Sequence, residues 1–172
     1  LVSGNYILQV SDANGCTVVK TVLVAQPPPL AVIFTNLKNT TCFGSSNGSV
    51  SANVTGGVTP YSYLWSNGST AADLTGVSAG TYSVTVTDKN GCKVANSITI
   101  SSPSSVAISI SKVDNKCYGD KKGQATALGA GGVMPITYIW STGQTTTSIT
   151  NLGAGVYSVT GTDANGCTKA AS

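Results

Sequence analysis

Between Ser49 and Thr55 the chain alternates Val50, Ala52 and Val54 with polar residues. A period of two puts one face of a β-strand on a core and the other in water. The same reading predicts strands at Leu30 to Leu37, at Tyr61 to Trp65 with Tyr61, Tyr63 and Trp65 facing inward, and at Thr70 to Leu74. Two more follow at Thr81 to Thr87, with Tyr82, Val84 and Val86 inward, and at Lys93 to Ile100. Gly56-Gly57 separates two of these strands, and Asn67-Gly68 reads as the tight turn of a hairpin. Thr, Ser, Val, Gly, Ala and Asn dominate, the usage of exposed sheet with tight turns, so almost no helix is expected.

The whole pattern then recurs. Asn14-Gly15-Cys16 returns as Asn90-Gly91-Cys92 and again as Asn165-Gly166-Cys167, at spacings of 76 and 75 residues. Cys42 maps onto Cys117, Gly56-Gly57 onto Gly131-Gly132, Pro60 onto Pro135, Trp65 onto Trp140 and Tyr82 onto Tyr157. A fixed period of this length marks an array of small modules. The expected division is 1–26 as the C-terminal part of a first repeat, 27–102 as a complete repeat and 103–172 as a repeat truncated in its last strand. Pro27-Pro28-Pro29 and the Ser101 to Ser105 stretch are the natural linkers, because proline cannot pair inside a sheet. Six or seven short strands per module, with one aromatic strand and Gly-punctuated turns, predict an all-β fold of tandem immunoglobulin-like β-sandwiches.

The last repeat departs from the plan at two inward positions. Gly129 stands where Val54 stood and Gly161 where Val86 stood. The pair is expected to be neighbours, with Leu128 or Met134 filling the space.

Composition removes most chemistry. Only 9% of the residues are charged, every cation is Lys, every anion is Asp, and there is no His, Arg or Glu. The usual general base, neutral metal ligand and bidentate phosphate clamp are therefore missing, which argues against an enzyme. The net charge of +3 is spread along the chain and gives no concentrated field for nucleic acid. No cofactor is expected.

Five cysteines follow the same period. If the six strands of a module simply alternate in direction, its first loop and its last turn lie at one end. That count favours Cys42–Cys92 and Cys117–Cys167, with Cys16 joined to a cysteine upstream of residue 1. The rival pairs are Cys16–Cys42 and Cys92–Cys117, between modules. Metal binding lacks both CxxC spacing and His. Disulfides point to an oxidising, extracytoplasmic location.

Other candidates have plainer readings. Asp12, Asp88 and Asp163 each precede an Asn by two residues and are weak Ca²⁺ candidates, but an Asp-capped turn explains the spacing. Trp65 and Trp140, with Tyr61, Tyr63 and Tyr138, offer a platform for sugar, yet their alternation makes them core residues first. Asn39, Asn47, Asn53 and Asn67 open N-x-Ser/Thr triplets of little weight in so Ser/Thr-rich a chain. Lys116, Lys121 and Lys122 share a loop with Asp114 and Asp120, the composition of a solvated surface.

The succession Cys42-x-Gly44, Asn47-Gly48-Ser49, Gly56-Gly57-x-x-Pro60-Tyr61-x-Tyr63-x-Trp65-Ser66-x-Gly68, then Leu74, Ala79-Gly80-x-Tyr82-x-Val84-Thr85-x-x-Asp88-x-x-Gly91-Cys92, resembles the SprB repeat. The second copy departs at Lys121 and Lys122 and at Ile136, which replaces the first Tyr. The resemblance implies a structural stalk or filament of a large secreted adhesin, acting in gliding motility and surface attachment. Its location would be extracellular, at the cell surface and attached to the outer membrane. Its implied partners are neighbouring repeats, surface polysaccharide or other cell-surface ligands, and, through other regions, the type IX secretion and gliding machinery. The alternative is a carbohydrate- or surface-binding Ig-like module of another secreted protein.

Overall fold

The computed structural model describes residues 1–172 and contains strands and turns, with no helix. The fold is all-β, built from small antiparallel sheets that pack as Ig-like sandwiches. β1 (Gly4–Ser11) and β2 (Thr17–Val24) form a two-stranded hairpin. β3 (Ala31–Lys38), β4 (Gly48–Thr55) and β6 (Asp73–Val77) make one sheet in the order β3-β4-β6. β5 (Ser62–Trp65), β7 (Gly80–Thr87) and β8 (Lys93–Ile100) make the facing sheet in the order β5-β7-β8.

The plan repeats downstream. β9 (Ala107–Val113), β10 (Gly123–Ala130) and β12 (Ser148–Leu152) form one sheet, and β11 (Thr137–Trp140), β13 (Val159–Thr162) and β14 (Thr168–Ala171) the other. Each sandwich has its own core. Val50, Trp65, Leu74, Val84, Val86 and Ile100 are buried in the first, and Ala125, Ala127, Trp140, Ile149 and Val159 in the second. The inward residues read from alternation are therefore the core residues. Leu64, the outward neighbour of Trp65, is exposed.

Chain direction decides which loops meet. Ser62 pairs with Thr87 and Trp65 with Val84, while Asp73 pairs with Ser51 and Val77 with Gly48. β5 and β6 thus run the same way in opposite sheets. The Asn67-Gly68 turn forms as expected, with the Trp65 N–H donating to the Ser69 carbonyl at 2.9 Å, but it carries the chain across the sandwich and makes no hairpin.

One end of the first sandwich, here the entry end, receives the chain from Pro28 and Pro29. The Gly57 N–H donates to the Pro28 carbonyl at 2.8 Å, and a Cβ on Gly56, whose φ is 70°, would overlap the Pro29 carbonyl. Only glycine admits both the conformation and the approach. Gly131 and Gly132 receive Ser104 and Ser105 in the same way at the entry end of the second sandwich. The opposite, exit end holds Thr40, whose N–H donates to the Ser101 carbonyl at 3.0 Å just beyond β8.

The two glycine substitutions in the second core are compensated by different residues from those the sequence suggested. Leu128 and Met134 are exposed. A Cβ on Gly129 would lie 2.8 Å from Ile136 Cδ1 and 2.8 Å from the Tyr138 hydroxyl, and one on Gly161 would overlap Ile108 Cδ1 and lie 3.3 Å from Ile136 Cγ2. Ile136 therefore spans both vacated positions and makes the glycines neighbours. Leu128 sits on the water side of the β10 pleat, and Met134 lies exposed in the turn before β11.

Candidate functional site

The built feature of this molecule is the joint between its two sandwiches. Cys42, in the loop between β3 and β4, is bonded to Cys167, in the turn between β13 and β14, with Cα atoms 5.8 Å apart. The Asn165 carboxamide donates to the Thr41 carbonyl at 2.9 Å, and the Ser102 hydroxyl to the Cys42 carbonyl at 3.5 Å. The joint is crossed twice by covalent bonds, once by the linker after Ile100 and once by the disulfide.

This corrects the expected pairing. Cys42–Cys92 and Cys117–Cys167 do not form, nor do the rivals Cys16–Cys42 and Cys92–Cys117; Cys16, Cys92 and Cys117 are free and exposed. The cause is the shared direction of β5 and β6, which shifts the strand count by one. Cys42 lies at the exit end, Cys92 precedes β8 at the entry end, and the eight residues of β8 separate the two ends by about 26 Å. A disulfide requires Cα atoms within about 7 Å. The exit end of one sandwich instead meets the entry end of the next, which brings Cys42 to Cys167.

The cysteine turn is held by its aspartate. Asp163 Oδ1 accepts the Asn165 N–H at 2.9 Å and the Cys167 N–H at 2.8 Å, and Oδ2 accepts the Val133 N–H at 2.9 Å. Asp88 repeats this with Asn90, Cys92 and Val58. Asp12 accepts from Asn14 and Cys16. Burial would raise the Asp88 carboxyl, but the N–H groups of Val58, Cys92 and Asn90 outweigh it and hold it below the usual carboxylate range. At Asp163 the Val133 N–H leads, burial opposes, and the N–H groups of Cys167, Asn165 and Gly166 add to the lowering. These oxygens are engaged with the backbone, the arrangement of a capped turn, and no three metal-ligating side chains gather anywhere.

The sequence reading missed Asn165. In these turns the positive φ belongs to Gly91 and Gly166. The Asn side chain is thus free for another contact, and its return in all three turns was the signal.

Trp65 and Trp140 are 1% and 2% exposed, with their indole N–H groups donating to Ala71 and Thr146 carbonyls at 2.9 Å. Neither offers a face to sugar; Tyr61, Tyr63 and Tyr138 are half-buried beside them. Asn39, Asn47, Asn53 and Asn67 are exposed. Asn47 binds Thr41 and so braces the cysteine loop. Lys116, Lys121 and Lys122 are exposed, and Asp114 pairs with Lys112 at 3.0 Å in solvent. A cleft of about 590 Å³ in the second sandwich, lined by Gly123, Leu152, Gly155 and Tyr157, lies where Ile98 and Ile100 pack in the first.

None of the curated proteins matches the chain. The family model described as the SprB repeat matches it twice, at residues 35–70 and 109–145. The first match runs from within β3 to just past the Asn67-Gly68 turn and the second covers the corresponding part of the next sandwich, so the SprB repeat model matches once within each sandwich.

Proposed function

We propose that the chain is a stalk or filament segment of a large secreted cell-surface adhesin, serving surface attachment in gliding motility and exported by the type IX route. The SprB repeat is a repeat of large cell-surface proteins, and a disulfide fits an extracellular location. The observation that carries the reading is the doubly covalent joint. A spacer under tension must pass load from module to module, and here Cys42–Cys167 offers a path that bypasses both cores. The sheets of each sandwich are accordingly structural in role, with division near 27 and 103, and no residue is assigned to catalysis.

Single-molecule pulling from the two ends tests this. In non-reducing buffer the segment between Cys42 and Cys167 stays locked at any force that spares the S–S bond. Adding reductant releases 125 residues, on the order of 440 Å of contour length. Full-length unfolding steps of both sandwiches without reductant would remove the mechanical basis for the proposal.

A further inference from the structure

We infer that Cys92 and Cys117 are the two unjoined halves of a second staple of the same kind, and that their occupant is another module of this type placed end to end, for which a second copy of this chain serves. The inference rests on the array reading of the two repeats and not on the adhesin role.

The internal period supplies the template. Cys117 stands in the loop position of Cys42, and Cys92 in the turn position of Cys167. Both halves are already folded. The Cys92 turn has the hydrogen bonds of the Cys167 turn, including Cys N–H to the Asp Oδ1 at 2.8 Å in each. In the Cys117 loop, the Asp120 N–H donates to the Cys117 carbonyl at 3.2 Å, as Ser45 does to Cys42 at 3.1 Å.

The halves also sit where docking needs them. Cys92 is at the entry end of the first sandwich and Cys117 at the exit end of the second, so head-to-tail placement of two copies brings loop to turn. Two further groups wait for a partner. Asn90 makes no side-chain hydrogen bond, whereas its counterpart Asn165 holds the Thr41 carbonyl. Tyr118 is fully exposed, whereas its counterpart Phe43, 67% exposed, lines the cleft at the joint together with Val106 and Ile108.

Closing the staple joins Cys117 Sγ to Cys92 Sγ. Each thiol loses a proton, and the two electrons reduce a small disulfide such as oxidised glutathione to two thiols. In a longer array every joint is then crossed by a linker and a disulfide.

The test uses the full chain carrying Cys16→Ser, incubated with reduced and oxidised glutathione, followed by non-reducing electrophoresis and peptide mapping. The expected result is a ladder of oligomers whose linkages are Cys92–Cys117, in about ten-fold or greater excess over like-with-like pairs, because exchange selects the pairing that the surfaces favour. Adding Cys117→Ser should abolish the ladder. Statistical proportions of Cys92–Cys92, Cys117–Cys117 and mixed links, or no oligomers at all, overturns the inference. A retained Cys42–Cys167 peptide in the same map shows that the array reading survives that failure.

Discussion

Ile136 lies between Gly129 and Gly161, within reach of a Cβ built on either, and together with Ile108 it fills the two core positions that valines occupy in the first sandwich. The second core was repacked as a set: Val54 became Gly129, Val86 became Gly161 and Tyr61 became Ile136, and Ile108, paired with Gly129, takes the place of Val32, paired with Val54. A close-packed interior accepts volume changes only when neighbours compensate.

Coupled substitutions follow from this. Gly161→Val forces a branched side chain onto Ile108 Cδ1 and should cost about 1–3 kcal/mol. Ile108→Val deletes that methyl and restores the pair found at Val32 and Val86. The double variant should recover at least about 1 kcal/mol relative to the sum of the singles, measured as a double-mutant cycle in urea. Strict additivity would show that the two side chains do not meet.

Each sandwich holds one buried tryptophan, so the two can be unfolded and watched separately. Trp65→Ala removes the largest core side chain and leaves the Ala71 carbonyl unpaired; the loss should be about 3–5 kcal/mol, enough to unfold a small domain. The remaining fluorescence, from Trp140, should still report a folded second sandwich. A simultaneous loss of the Trp140 signal would mean that the two cores are one cooperative unit.

The disulfide makes a different prediction. Cleavage at a protease site engineered between Ser101 and Ser105 leaves Cys42 on one fragment and Cys167 on the other. The fragments should run as one species without reductant and as two with it. Replacing both cysteines by Ala should also remove up to about 5 kcal/mol of constraint on the unfolded chain, shared by both sandwiches, for a loop spanning 125 residues. Calorimetry with and without reductant checks this.

The other strands, the inward faces and the period were legible because each is a local pattern of two residues or an offset read directly, whereas the strand expected at Thr70 to Leu74 lies at Asp73–Val77. The cysteine pairing was not, since it depends on the direction of β5 and β6, and an Asn-Gly turn looks the same whether it closes a hairpin or crosses a sandwich. Ile136 was overlooked for a similar reason. It was seen as a lost tyrosine, while the space it fills lies between Gly129 of β10 and Gly161 of β13, which only the fold brings together. Asn165 acts across the joint, and no periodicity within one module reveals its partner.

Asp88 and Asp163 give a pH dependence whose sign can be worked out. Their carboxyls are held below the ordinary 3.8 in the folded protein, because ionised oxygens accept backbone N–H bonds that the unfolded chain cannot organise. The stability they contribute is therefore fully present above about 3.8 and is lost as pH falls through the lower folded values. Urea midpoints should be flat from pH 7 to about 5 and should drop below about 4, in both sandwiches. Asp88→Asn keeps the shape but removes the charge and one acceptor oxygen. It should destabilise the first sandwich at pH 7, and its midpoint should converge toward that of the parent chain as pH falls below 3.8 and the parent carboxyl becomes protonated too. With Trp65 and Trp140 as separate reporters, the second sandwich serves as the internal control. An Asp88→Asn deficit that persists undiminished at low pH would assign the effect to the lost acceptor geometry alone and remove charge from the account.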